Sequence, residues 1–192
     1  MKKAIVIVIG AALLAAGCGG GDGDGDGGSA AVEPTAAAPG STAPQTPGET
    51  GGTGQNVPEA LRFKGETLDG EPFDGATLAG KPVVFWFWAP WCPKCIAEGP
   101  DVAKAAEKYG DRVSFVGIGG LEKDAGRLQG FVSRTSSKGL THLDDRTGDL
   151  YAHFDVAAQS SFVFMAPDGT TSRASGPLGA AELGRHVDEL LG

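Results

Sequence analysis

Pro82-Val83-Val84-Phe85-Trp86-Phe87-Trp88-Ala89-Pro90-Trp91-Cys92-Pro93-Lys94-Cys95 is the stretch that decides the fold. Pro82 to Trp88 is apolar throughout, as in a strand covered on both faces. Ala89 to Trp91 breaks that run. From Cys92 to Tyr109 the spacing turns helical, which predicts Ile96, Val102, Ala103, Ala106 and Tyr109 on the inner face and a kink at Pro100. Two cysteines one helical turn apart therefore stand at a strand-to-helix turn, where they can form and break a disulfide. Cys92 falls at the predicted helix N-terminus, where backbone N–H groups and the helix dipole stabilise a thiolate.

Outward from this centre the pattern stays α/β. Leu61-Arg62-Phe63-Lys64-Gly65 alternates like an edge strand, Asp69-Gly70 marks a hairpin turn, and Glu71-Pro72-Phe73 returns. Arg112 to Ile118 reads as a second buried strand. Asp124 to Ser137 reads as a helix with Leu128, Phe131 and Val132 inward. Leu150, Tyr151, Phe154 and Val156 mark a short helix or turn. Phe162 to Met165 reads as a third strand, and Pro167-Asp168-Gly169 turns it into Thr170 to Ala174. Ala180 to Leu191 closes the chain as an amphipathic helix through Leu183, Val187, Leu190 and Leu191. This order predicts an α/β fold with a central mixed sheet flanked by helices and an N-terminal β-hairpin extension.

The ends and the composition narrow the function. The 192 residues carry a formal net charge of -8, and no basic run follows Lys2-Lys3, which argues against nucleic-acid binding. Lys2 and Lys3, the short apolar run Ala4 to Ala16 and the small residues after it read as an export signal over residues 1–17. Leu13-Leu14-Ala15-Ala16-Gly17-Cys18 resembles a bacterial lipobox, which implies cleavage behind Gly17 and lipid on Cys18; Ala15 departs from the commonest leucine. The alternative is an ordinary secretory peptide with a stray cysteine. Residues 18–57 are rich in Gly, Asp, Ala, Pro and Thr, too poor in large apolar groups to offset chain entropy, and read as a disordered tether. A flexible chain of that length spans roughly 35 Å. The globular domain is expected over residues 58–192. With Cys18 taken by lipid, the domain keeps Cys92 and Cys95. In an exported chain, where disulfides persist, such a pair reads as redox-active and not as a metal knuckle, which would want further Cys or His ligands nearby.

The residues Phe87 to Cys95, followed by Glu98 and Pro100, resemble the thioredoxin superfamily, and more narrowly its exported, membrane-tethered branch of TlpA, ResA and DsbE-type thiol-disulfide oxidoreductases. Gly80-Lys81-Pro82-Val83-Val84 and the stretch from Leu143-Asp144-Asp145 through Tyr151 and Val156 to Phe164 follow the same pattern, so the resemblance covers roughly Leu61 to Leu191. It implies that Cys92 is the attacking cysteine and Cys95 the more buried resolving one. Pro93 fits the first helical turn, where its missing N–H has no partner to lose. Lys94 puts a positive charge near the sulfur or is simply solvated. A stabilised Cys92 thiolate would tilt the pair toward oxidising its partner. Trp91 shields the sulfurs and offers an apolar docking surface, while Trp88, Trp86 and Phe85 read as core.

Three places weigh on that resemblance. Many thioredoxins keep a buried aspartate six residues before the first cysteine; here that residue is Trp86. Glu98 matches the glutamate of the tethered branch and would take the Cys95 proton during exchange, the alternative being an ordinary helix-surface glutamate. The family's cis-proline opposite the cysteines falls on Ser160 in Gln159-Ser160-Ser161-Phe162, a loop implied to pair its backbone with substrate. The expected catalytic set is Cys92, Cys95 and Glu98. The expected substrate contacts are Trp91, Pro93, Lys94, Ser160 and Ser161.

The leading function is an exported thiol-disulfide oxidoreductase, lipid-anchored through Cys18 or else secreted. It would exchange its disulfide with cysteines of extracytoplasmic proteins and be recycled by a membrane redox partner, with no metal or organic cofactor. The second reading is a carrier of a soft ion such as Cu(I) between the two sulfurs, with His142 and His153 the histidines to consider and His186 placed on the last helix. A third is an inert surface-binding module on the same fold, against which the intact Trp91-Cys92 and Cys95 motif argues.

Overall fold

The computed structural model describes residues 57–192. The expected signal peptide, Cys18 and the tether up to residue 56 lie outside the described residues. Val57 packs against the core.

The apolar run becomes strand β3 (Val83–Trp88), and every one of its six residues is buried. It sits at the centre of a five-stranded mixed sheet with β4 (Ser114–Gly120), β5 (Thr141–Asp145), β6 (Ser161–Met165) and β7 (Thr171–Ser175). The order is β5-β4-β3-β6-β7. β3 runs parallel to β4, with Phe85 opposite Val116, and antiparallel to β6, with Phe87 opposite Ser161. Successive side chains of a strand point to opposite faces. Val84, Trp86 and Trp88 accordingly enter one core with residues of α1 (Pro93–Tyr109), α2 (Ala125–Arg134) and α4 (Ala180–Leu191). Val83, Phe85 and Phe87 enter the other with Leu61, Phe63, Leu78 and residues of α3 (Asp149–His153). Burial on both faces is why the strand needs no polar alternation.

The hairpin forms, its first strand starting three residues and its return strand one residue later than the pattern suggests. Leu61 closes a 3-10 turn (Glu59–Leu61), and the paired strands are β1 (Lys64–Glu66) and β2 (Pro72–Asp74), with Gly70 at φ +84 in the turn. β5 is absent from the sequence reading. Its Thr141-His142-Leu143-Asp144-Asp145 lacks an apolar run because it is the edge strand beside β4 and because Asp145 is occupied with capping, accepting the N–H groups of Leu150 and Tyr151 at 2.9 Å. α1 continues through Pro100 to Tyr109. Its inner face is Cys95, Glu98, Gly99, Val102, Ala105 and Tyr109; Ile96, expected inside, is 39% exposed. α2 begins where Asp124 accepts the N–H groups of Gly126 and Arg127, an ordinary N-cap. Among the described residues no helix is long and apolar enough to cross a membrane.

β4 is glycine-rich where large rings must pass. A Cβ on Gly117 would lie 2.2 Å from His142 Nδ1 and 2.9 Å from Trp88 Nε1. Gly130, in α2, has nothing within 4 Å of such a Cβ. Overpacking costs about 1–3 kcal/mol, whereas Gly to Ala in an open helix position gains about 0.5–1 kcal/mol. Urea unfolding should therefore show Gly117→Ala destabilised and Gly130→Ala neutral or stabilised, opposite signs for one substitution type.

Candidate active site

The strand ends at Trp88, and the chain turns at once into α1. Cys92 N–H donates to the Ala89 carbonyl at 3.1 Å, and the Arg134 guanidinium of α2 holds the Pro90 carbonyl at 3.0 Å. Cys92 is the N-cap of α1, its Sγ accepting the Cys95 N–H at 3.3 Å, and Pro93 occupies the first helical turn. Both cysteines are free and both are buried. Burial, reinforced by the contact with Cys92, pushes the Cys95 thiol well above its usual range, so Cys95 stays protonated unless a base relieves it. Lys94 is exposed. Trp91 is 48% exposed, its indole N–H donating to the Leu121 carbonyl at 3.0 Å. Together with Ile96 and Leu121 it makes up the large exposed apolar side chains among the described residues.

One turn below Cys95, Glu98 is only 2% exposed, which rules out the helix-surface alternative. Its carboxyl is met from three directions. Trp86 Nε1–H donates to Oε1 at 2.8 Å, the Ser160 hydroxyl donates to the same oxygen, and the Leu178 N–H donates to Oε2 at 3.0 Å. Burial pushes the carboxyl above its usual value of 4.5, against the pull of these bonds and of Lys94. The backbone closes in as well, since a Cβ on Gly176 would stand 2.5 Å from Glu98 Oε2 and 2.6 Å from Ser160 Oγ. On the opposite core Tyr151 donates its hydroxyl to the Trp88 carbonyl at 3.2 Å, and burial keeps it protonated.

Cys92, Cys95, Glu98 and Ser160 thus come together, with Trp91, Pro93 and Lys94 around the sulfurs. β6 pairs Ser161 with Phe87, which places Ser160 beside Trp88 at the cysteine end of the sheet. The Gln159–Ser160 peptide is cis. Ser160 is buried with its side chain turned to Glu98, so any contact it makes with a substrate is through its backbone; Ser161 Oγ donates to the Ala158 carbonyl at 2.7 Å. Trp86, read as core, is core, and its N–H also holds Glu98. Gly176 and Leu178 were not foreseen. The one signal was a tryptophan standing where the resemblance expects an aspartate, next to a glutamate with no stated anchor.

The histidines serve elsewhere. His142 Nε2 pairs with the Ser137 carbonyl at 2.9 Å and His153 Nε2 with the Ala60 carbonyl at 3.1 Å, while His186 stacks on Phe164. Among the described residues no group of three or more His, Cys, Asp or Glu is placed to hold a metal.

The fold and the paired sulfurs at a helix N-terminus define a thioredoxin-like protein with a dithiol centre. The chain belongs to the Redoxin family, whose family model matches residues 40–170. It is 43% identical over 134 residues to the soluble secreted antigen MPT53 of Mycobacterium tuberculosis, covering 70% of this chain and 73% of that protein. Among solved structures, MTB dsbF in its mixed oxidized and reduced forms is 41% identical, with a TM-score of 0.67 over 70% of this chain and 99% of that one. A secreted Mycobacterium tuberculosis disulfide oxidoreductase homologous to E. coli DsbE is 42% identical, with a TM-score of 0.64 over 68% and 98%.

Because Glu98 holds its proton more tightly folded than unfolded, it adds stability below pH 4.5 and withdraws it as the pH rises through its folded value. Glu98→Gln cannot titrate. Its stability relative to the native protein should therefore improve between about pH 4 and about pH 8 in urea unfolding. A difference that is flat with pH would mean an ordinary carboxyl.

Proposed function

We propose that Cys92 and Cys95 exchange their disulfide with cysteines of extracytoplasmic proteins through a mixed disulfide on Cys92. The chain is a thiol-disulfide oxidoreductase, as its family and its disulfide-oxidoreductase relative indicate. The observation that supports these roles is the buried carboxyl one turn beneath the buried thiol, with the other sulfur at the helix terminus.

A client thiolate attacks Cys92 Sγ, the Cys92–Cys95 bond breaks, and the client sulfur bonds to Cys92. Cys95 leaves as a thiolate and takes a proton from Glu98. The client's second thiolate then displaces Cys92, so the client is oxidised by two electrons and the pair is reduced. In the opposite direction Glu98 takes the proton from the Cys95 thiol, and the thiolate attacks Cys92 in the mixed disulfide, releasing the reduced client thiolate. Trp91 and Leu121 give the client an apolar surface beside Cys92, and the Gln159-Ser160-Ser161 backbone offers it hydrogen bonds. The reduction potential decides the direction: near about -120 mV the protein is an oxidant, near about -270 mV a reductant.

The chain acts outside the cytoplasm, held to the membrane by lipid on Cys18 and recycled there by a membrane redox partner. This rests on the Leu13 to Cys18 stretch and on the secreted state of the disulfide-oxidoreductase relative. One acyl chain gives only marginal attachment, so lasting anchorage needs more than one.

Cys95→Ala should accumulate client proteins joined through Cys92, visible as bands lost on reduction and identified by mass spectrometry. Cys92→Ala should trap none, and an empty trap with Cys95→Ala would overturn the exchange reading. For the anchor, Cys18→Ser should move the protein from the membrane fraction to the medium; retention in the membrane would dismiss the lipid.

A further inference from the structure

Three donors hold the Glu98 carboxyl, and they are chemically unequal. The Trp86 indole and the Leu178 backbone each carry an N–H that donates and cannot accept. Ser160 Oγ carries both a proton and lone pairs. While Glu98 is ionised all three donate to it. Once Glu98 takes a proton, that proton needs an acceptor, and neither N–H can be one. Ser160 Oγ is in contact with Oε1 and is buried, so bulk water does not compete for it. Trp86 Nε1–H also lies 3.4 Å from Ser160 Oγ, a donor for the hydroxyl oxygen if the hydroxyl turns. Gly176 leaves no room for a side chain at this spot, and its N–H donates to the Ser160 carbonyl at 3.0 Å, fixing the residue from behind.

We propose that Ser160 is a positioning residue for the proton transfer between Cys95 and Glu98: its hydroxyl donates to the carboxylate and reverses to accept from the carboxylic acid, holding Glu98 in place in both states. The proposal rests on the reading of Glu98 as the group that exchanges a proton with Cys95. The balance is one proton. Cys95 loses it, Glu98 gains it, the Ser160 O–H rotates without being lost, and the freed thiolate forms the bond to Cys92 as the client sulfur leaves. The charged and titratable groups near this carboxyl are Cys95 and Lys94 of α1, with Cys92 at its N-cap; β3, the Ser160 loop and the 176–178 segment bring Trp86, Ser160 and backbone N–H groups. Tyr151 of α3 lies near the sulfurs and stays protonated. A proline at position 160 would have neither the proton nor the lone pairs of the hydroxyl.

The test is a single-turnover measurement on the full chain. A peptide thiol is linked to Cys92 as a mixed disulfide, and its release by Cys95 is followed from about pH 5 to about pH 9. The native rate should rise with pH along a limb that reports Glu98 losing its proton, and Glu98→Gln should abolish that limb. Ser160→Ala removes one donor from the carboxylate, and hydrogen bonds to an ionised acceptor are the stronger kind. Its limb should move up by about one pH unit, a slowing of about tenfold on the acid side that vanishes at high pH. Ser160→Thr keeps the hydroxyl and should restore the native limb. The infrared carbonyl band of protonated Glu98, absent in Glu98→Gln, gives a second readout: it should shift in Ser160→Ala and stay in Ser160→Thr. If the alanine variant does not fold, Ser160→Gly makes the same comparison. An alanine or glycine variant with the native limb and the native band overturns the role of Ser160 while leaving Glu98 in place. A native limb surviving in Glu98→Gln overturns the role of Glu98, and with it this one.

Discussion

A carboxyl buried in the protein interior must be supplied with hydrogen bonds, and in this molecule that requirement ties the site together. An unpartnered ionised group in such surroundings is too costly to keep. Glu98 finds its donors 12, 62 and 80 residues away, in β3, before β6 and before α4. Each donor constrains its own segment. Trp86 must present the edge of its indole toward α1, Ser160 must face inward, and residue 176 must lack a Cβ. The hydrophobic sheet can therefore carry a polar group next to the sulfurs without an open path to water. Four separate stretches of chain are held in one arrangement by a single side chain.

The sulfurs are made unequal by position rather than by composition. Cys92 caps the helix, and its Sγ meets a backbone N–H. Cys95, three residues on, faces the core and is fully covered. Cys92 keeps 4% exposure beside the exposed Trp91, and Cys95 keeps none. The proposed two-step exchange uses this division: the outer sulfur would make the bond to the client, and the inner one would break it.

What the sequence revealed followed the range of the interactions. β3 and the start of α1 were legible because burial on both faces and a helix N-terminus leave local marks: an unbroken apolar run, then cysteine, proline and a change of period. Asp124 was legible as the start of α2 for the same reason. β5 was not, because an edge strand bearing His142 and two aspartates looks like a loop until its partner strand and the capped helix are known. The phase of α1 slipped at Ile96, since the buried stripe runs through Cys95 and Glu98, and a glutamate does not register as an inner residue. The candidate cysteines were visible from spacing. The net around Glu98 was not, because nothing in a linear reading joins Trp86 to Ser160 and Leu178. The sequence did show the two departures, a tryptophan and a serine in unexpected places. The structure makes them a single change, since both side chains now touch the same carboxyl oxygen.

The proton connects the two sulfurs to the buried carboxyl. Burial raises the proton affinity of Cys95 and of Glu98 alike, and the Glu98 charge raises Cys95 a little further. A thiol pushed this high is inert by itself at neutral pH, so Cys95 can attack only if its proton has somewhere close to go. A carboxyl with an ordinary affinity would release that proton to solvent too readily to return it on the reverse step. In the proposed exchange, raising both groups together would keep the proton at the site and let the same residues serve oxidation and reduction. The direction of electron flow then follows from the reduction potential of the pair against that of its client, not from a rearrangement of the site.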